Sequence, residues 1–353
     1  QDIVSSKTIK AINIEGNKLN IEVVLKYPAS SYHDELKQAI TDALSDSVAS
    51  EIGITIDSKI TSHATQNGAN ALPGIKNIIA VASGKGGVGK STFAVNFAVA
   101  LSELGKKVGI LDADIYGPSI PMMFDVKNER PLSKTIDGKS KMKPVENYGV
   151  SILSIGFFTT PEQAVIWRGP MASKALNQLI FDAAWGHLDY MLIDLPPGTG
   201  DIHLSIMQSM PITGAVVVST PQAVALADAR RGVSMFQQDN IQVPVLGIIE
   251  NMAYFTPKEL PENKYYIFGK EGAKNLSNDL NIPFLGEIPL VQSIREAGDN
   301  GRPAALQENT ALSNAFEKLT KGVIKELENR NEILPPTEAI QMTNSVGCSA
   351  AKN

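Results

Sequence analysis

Apolar and polar residues alternate along residues 8–14 and 18–27 on either side of Glu15-Gly16-Asn17. Two-residue alternation around a turn-forming triplet predicts a β-hairpin. Leu36, Ile40, Ala43 and Leu44 then recur at helical spacing within residues 33–47, and Ile52, Ile54, Ile56 and Ile60 return to the strand period. The expected unit is ββαβ. Residues 61–74, rich in Ser, Thr, Asn, Gln and Gly, read as a linker. From Ile78 onward the pattern changes to short continuous apolar runs, as in strands covered on both faces, alternating with segments of helical period. Strands are predicted over residues 78–82, 107–111, 150–155, 190–194, 215–219, 245–250 and 284–288. Helices are predicted over 93–104, 171–184, 223–236, 292–297 and 311–328. Residues 128–143, polar and lysine-rich with Pro131 and Gly138, read as a mobile excursion outside the core.

The pattern therefore divides the chain into a small α+β unit (1–60), a linker (61–74), an α/β domain with a mostly parallel sheet flanked by helices (75–330) and a flexible tail (331–353). The first residue is Gln1 rather than Met, and the small unit is expected to be truncated at its start.

One strand–loop–helix stretch carries the most chemistry. The apolar run Ile78-Ile79-Ala80-Val81-Ala82 enters Ser83-Gly84-Lys85-Gly86-Gly87-Val88-Gly89-Lys90-Ser91-Thr92, and a helix-period segment follows. Gly84, four residues, then Gly89-Lys90-Ser91 meets the Walker A pattern, whose glycines let successive N–H groups turn inward around a phosphate. Residues 84–92 are thus the candidate nucleotide cradle. Lys90 is the candidate for the β/γ oxygens, Ser91 offers its hydroxyl to Mg²⁺, and the helix that begins there points its positive end at the anion. Two further carboxylate-bearing strand ends follow. Leu111-Asp112-Ala113-Asp114 supplies Asp114 as the candidate for orienting the attacking water and Asp112 for the magnesium water shell, although aspartates ahead of Gly117-Pro118 also form turns. Tyr190-Met191-Leu192-Ile193-Asp194, followed by Leu195-Pro196-Pro197-Gly198-Thr199-Gly200-Asp201, reads as a Walker B strand and its switch, with Asp194 as the magnesium carboxylate. Asn251, also at a strand end, has the donor and acceptor to read adenine, or simply caps a turn. Arg168 either binds an anion or packs beside Trp167.

Composition narrows the classes. With 43% hydrophobic and 20% charged residues the chain reads as globular, and no apolar run approaches the roughly 20 residues that span a bilayer. A cytoplasmic protein without a membrane role is expected. Thirty-two basic against 37 acidic residues give net charge −5, which argues against a general nucleic-acid surface. The single cysteine, Cys348, excludes an intrachain disulfide, and His33, His63, His187 and His203 form no metal-ligand spacing with it.

The second lysine of the loop, Lys85, gives the chain a resemblance to the deviant Walker A group, which includes MinD, ParA and nitrogenase iron protein; a solvated surface lysine is the plainer alternative. The Tyr116-Gly117-Pro118-Ser119, Trp167-Arg168-Gly169-Pro170-Met171, Ile193-Asp194-Leu195-Pro196-Pro197-Gly198-Thr199-Gly200-Asp201 and Glu250-Asn251-Met252-Ala253-Tyr254-Phe255 stretches make it similar, within that group, to the Mrp-type (ApbC-like) iron–sulfur cluster carrier ATPases. The resemblance implies a P-loop ATPase using ATP and Mg²⁺, with Lys85 reaching across a homodimer to the partner's phosphates. It further implies a cycle that holds iron–sulfur clusters and releases them to apo-protein clients. Two positions depart from the pattern: the Cys-x-x-Cys that many relatives carry is replaced by Thr256-Pro257-Lys258-Glu259, and the small domain's usual cysteine is absent from Tyr27-Pro28-Ala29-Ser30-Ser31. A cluster normally takes four thiolates. Cys348 is left either as a candidate cluster ligand or as an incidental tail thiol, and a nucleotide-switched positioning ATPase of the MinD/ParA type, without cluster handling, stands as the alternative.

Overall fold

The computed structural model describes residues 8–25, 33–44, 51–58, 72, 74–136, 138–158, 169–239, 241–257, 259–260, 262–307 and 310–334. Near the start, β1 (Ile9–Glu15) and β2 (Lys18–Leu25) pair antiparallel, α1 (His33–Ala43) follows, and β3 (Glu51–Ser58) returns parallel to β2. Alternation decides which side is covered: Leu19, Ile21, Val23 and Leu25 turn one face of β2 onto Leu36 and Ile40 of α1, forming a core of their own. This is the ββαβ unit expected from the pattern.

The larger part is a doubly covered sheet. Its strands are β4 (Ile75–Ala82), β5 (Val108–Asp112), β8 (Val145–Asn147), β9 (Val150–Ser154), β10 (Leu188–Asp194), β11 (Gly214–Ser219), β12 (Val245–Asn251) and β13 (Phe284–Ile288). They lie in the order β13-β12-β11-β4-β10-β5-β9-β8, and only the pairing of β8 with β9 is antiparallel. Two residue sets from the same strand show why both faces are buried: Ile79 and Val81 of β4 enter one apolar cluster, and Ile78, Ala80 and Ala82 the other. The first cluster receives α2 (Lys90–Glu103), α3 (Ile120–Met123), α8 (Gln292–Asp299) and α9 (Ala311–Ile333). The second receives α4 (Gly169–Phe181), α5 (Asp201–Ser209), α6 (Ala223–Phe236) and α7 (Gly272–Leu280). α2 is apolar nearly all round and accordingly lies buried between the sheet and α9.

Topology places the chemistry. β4 is the strand from which the chain first leaves on one side toward β5 and β9 and later continues on the other side to β11 and β12, so its carboxyl end is the switch point where a parallel sheet opens a crevice.

Several elements differ from the sequence reading. Residues 128–143 are not shapeless: β6 (Leu132–Ile136) and β7 (Lys139–Lys143) pair as a hairpin, and Met142 exchanges backbone hydrogen bonds with Asp182 and Ala184 just beyond α4. The period-2 run there is mostly Lys, Ser and Thr, with Leu132, Ile136 and Met142 as its apolar positions, so its hydrophobic signal is weak. α5 and α7 were not expected; α7 offers only Ala273, Leu276 and Leu280 as apolar positions, and its N-terminus is capped by the Glu250 carboxylate, which accepts from the Ala273 N–H. The last helix runs to Ile333, past the expected domain end at 330. Residues 335–353, with Cys348, and residues 159–168, with Trp167 and Arg168, lie outside the described residues.

Candidate functional site

The loop between β4 and α2 is shaped by backbone that side chains would obstruct. Gly87 and Gly89 stand at φ +79° and +80°, the left-handed region. Gly84 lies against α6, where a Cβ would sit 2.1 Å from the Asp228 carbonyl carbon. The buried Ser83 hydroxyl donates to the Lys85 carbonyl at 3.0 Å. The result is a cleft of about 220 Å³ lined by the loop together with Asp114, Ser119, Met123 and Pro197. Residues 84–92 thus come together as the sequence reading expected, with the N-terminus of α2 at the cleft floor.

Below the loop lies a compact charge cluster. In the sheet, Asp194 is paired in register with Val81 on one side and Asp112 on the other. Lys90, 5% exposed, donates to Asp194 Oδ1 at 2.6 Å and to Ser91 Oγ at 3.2 Å, and lies 4.0 Å from Asp114 Oδ2. Ser91 Oγ in turn donates to Asp194 Oδ2 at 2.6 Å. The fully buried Asp112 accepts from Ser154 Oγ at 2.8 Å and from the backbone N–H groups of Ile120 and Asp114. Burial, and then the neighbouring Asp194 carboxylate, push Asp112 up to about 8. Asp194 is raised as well, because burial outweighs the pull of Lys90. Two like charges in one dry site share the single cation Lys90.

That donor set fits a divalent cation. Its groups are a hydroxyl and carboxylate oxygens, the ligands of a hard ion, and their negative charge exceeds what one lysine balances. Ser91 and Asp194 present their oxygens directly to one another, whereas Asp112 is committed to Ser154 and to the start of α3.

Asn251, expected either to read adenine or to cap a turn, makes two contacts within the protein. Its Nδ2 donates to the Val88 carbonyl at 2.7 Å and its Oδ1 accepts from the Met252 N–H at 3.0 Å. In the structure it braces the phosphate loop from β12, because the end of β12 arrives directly behind Gly89. Lys85, partly exposed on the loop, forms no side-chain hydrogen bond or ion pair with the described residues.

One histidine that the sequence reading noted only for lacking a metal-ligand spacing has a defined structural place. His203, 1% exposed in the first turn of α5, accepts from the Gly200 N–H at Nδ1 (3.2 Å) and has Nε2 3.0 Å from the Pro196 carbonyl. The signal available was its position two residues after Asp201, at the start of a helix whose existence was itself missed. No thiol is present among the described residues, and none of their His, Asp and Glu side chains gather in a group of three or more able to hold a metal ion. Beside Thr256-Pro257, Phe255 and Tyr265 pair through two backbone hydrogen bonds of 2.8 Å, and Lys264 stacks 3.9 Å over Tyr254.

Comparison with known proteins follows this geometry. Residues 74–324 match the family model described as NUBPL iron-transfer P-loop NTPase, and residues 1–56 match that of an iron–sulfur cluster assembly protein. An "iron-sulfur cluster carrier protein" of Synechocystis is 42% identical over 331 residues, 92% of each chain. An "iron-sulfur cluster transfer protein NUBPL" of Dictyostelium discoideum is 49% identical over 260 residues, 73% of this chain and 79% of that one. Among solved structures, a nucleotide-binding protein from Archaeoglobus fulgidus in complex with ADP aligns with TM-score 0.56 and 40% identity over 65% of this chain and 88% of its own. MinD of Pyrococcus horikoshii with Mg-ADP aligns with TM-score 0.52 and 25% identity over 73% and 99%. With most of its length matched by one family model and by full-length relatives, this chain belongs to the iron-transfer P-loop NTPases.

Proposed function

We propose that the chain binds and hydrolyses ATP as a homodimer and uses that cycle to hold iron–sulfur clusters and hand them to apo-protein clients in the cytoplasm. The observation that carries the nucleotide half is the Lys90–Ser91–Asp194 cluster beneath a glycine cradle at the sheet's switch point. The cargo half rests on the relatives' names and on the family of the first 56 residues.

In this reading the cradle N–H groups and the α2 N-terminus take the phosphates, and the Lys90 ammonium exchanges Asp194 for the β/γ oxygens. Ser91 and Asp194, backed by Asp112, would hold Mg²⁺, which supplies neutralisation of the charge that develops on the leaving phosphate. Asp114, already on the cleft wall, orients the water that attacks the γ-phosphorus as ADP departs. Lys85 reaches the partner's nucleotide. The second Nδ2 hydrogen of Asn251 is the one that faces the base.

A dimer of this chain brings two Cys348 thiols, whereas a cluster takes four ligands, so thiols of the client or of a small molecule complete the set. Anaerobic reconstitution with iron and sulfide, beside Cys348→Ala, tests this. Stoichiometric cluster on the wild type and none on the variant makes Cys348 the anchor. Neither protein holding cluster, even with a thiol-bearing client present, while both hydrolyse ATP, would leave the second reading, a nucleotide-switched positioning ATPase. That reading is favoured by the thiol-free loop after β12.

A further inference from the structure

The segment joining β10 to α5 is closed at both ends by one side chain. His203 Nε2 lies 3.0 Å from the carbonyl of Pro196, and its Nδ1 accepts the N–H of Gly200 at 3.2 Å. A carbonyl only accepts and an N–H only donates, so a single neutral tautomer, protonated at Nε2, serves both contacts. Burial agrees with that state, since it lowers the imidazole's affinity for a second proton.

What lies between the two contacts has few other anchors. Pro196 and Pro197 have no N–H, Gly198 stands at φ +91°, and its N–H donates to the Ser83 carbonyl at the foot of the phosphate loop at 2.9 Å. The Thr199 N–H donates to none of the described residues. A loop with two prolines, two glycines and so few main-chain bonds is free to shift on its own hinges unless something ties it to its helix. The tie is His203. α5, in turn, packs with α4 in the cluster on that face of the sheet through Ile202, Ile206 and Met207.

We propose that His203 is a positioning residue that makes the Pro196–Gly200 loop and α5 move as one body, so that a change at the γ-phosphate is passed to α5 and to α4 beside it. The inference rests on the nucleotide reading above. It assigns the imidazole no contact with substrate. Its role is mechanical, through two hydrogen bonds.

The test compares His203→Phe, which keeps a flat ring and removes both bonds, with His203→Gln, whose carboxamide offers one donor and one acceptor at every pH. The readouts are kcat and KM for ATP, and hydrogen exchange of α5 with and without a non-hydrolysable ATP analogue. H203F should lower kcat about tenfold, within what the loss of two neutral hydrogen bonds supports, while KM stays within about twofold. Nucleotide-dependent protection of α5 should vanish in H203F while that of residues 84–92 persists, and H203Q should restore both properties. If H203F does not fold, His203→Asn, which reaches Gly200 but not Pro196, takes its place with the same expectation. Wild-type kcat and α5 protection in H203F overturns the proposal, as does an H203Q no better than H203F. A wild type that binds no nucleotide would sink the proposed function and this inference with it. A wild type that responds to nucleotide while H203F responds equally sinks the coupling alone.

Discussion

The Lys90 ammonium meets the Asp194 carboxylate at 2.6 Å, with both side chains almost wholly removed from solvent. This ion pair joins the phosphate loop to a strand whose end lies 104 residues further along. A buried pair costs more when halved than when absent, because the survivor keeps its charge without a partner. Lys90→Ala should therefore abolish ATP turnover and also destabilise the fold by about 3–5 kcal/mol. Phosphate release and urea unfolding on the same sample check both. Turnover lost at unchanged stability would mean that Asp194 gives up its charge when Lys90 is gone.

The two left-handed glycines of the loop should respond differently to alanine. Gly87 has open space around a Cβ, so Gly87→Ala meets only the backbone penalty of about 1–2 kcal/mol. At Gly89 a Cβ would sit 2.1 Å from Asn251 Nδ2, so Gly89→Ala adds a collision with the brace. Titration with a fluorescent ATP analogue should show Gly89→Ala the weaker binder by at least about tenfold, the equivalent of one further lost hydrogen bond.

The brace has its own test. Asn251→Ala leaves the Val88 carbonyl buried without its donor, at about 1–3 kcal/mol, and loosens the loop. Asn251→Asp should be worse than alanine, since it sets a carboxylate oxygen against that carbonyl. Equal nucleotide affinity in both variants would show that the loop holds its shape without β12.

How far the sequence could be read depends on the distance over which each feature acts. The cradle, Asp194 and the parallel sheet were legible because each is written in a continuous run: glycine spacing, or an apolar strand ending in a carboxylate. The bracing contact of Asn251 and the two contacts of His203 were not legible, because their partners, Val88 and Pro196, are set by how the chain folds back rather than by spacing alone. α5 was hidden by its own start: Ile202, Ile206, Met207 and Met210 do recur at helical spacing, but the Pro-Pro-Gly-Thr-Gly before them reads as loop. The β6–β7 hairpin was obscured because lysines occupy positions where a core strand would show Val or Ile.

A pH dependence follows from His203. Its folded pKa lies below that of a free imidazole, chiefly through burial, with Lys90 adding to the effect and the Pro196 and Gly200 contacts opposing it. Below about pH 6.5 the unfolded chain takes up a proton that the folded chain refuses, so stability falls with pH until the folded imidazole is itself protonated. The slope can reach about 1.4 kcal/mol per pH unit. Unfolding of H203Q between pH 7 and 5 should be flatter than that of the wild type by this component.

Lys85 tests the proposed dimer separately from the fold. Because its side chain has no described partner, Lys85→Ala should change stability by less than about 0.5 kcal/mol. ATP-dependent dimerisation, followed by sedimentation velocity, should be lost together with most turnover. A variant that still dimerises with ATP and turns over normally would reduce Lys85 to a solvated lysine.

The contact between Asn251 and Val88 also bears on the order in which the protein becomes competent during synthesis. The glycine loop is complete when residue 92 leaves the ribosome, yet the side chain that fixes its shape is made 163 residues after Val88. Asp194 and the Gly198 N–H arrive in between. A nascent chain ending short of β12 thus carries every residue of the Walker A motif without a rigid cradle. Nucleotide capture becomes a checkpoint on the arrival of β12, and a bound nucleotide stabilises only chains that have already added it.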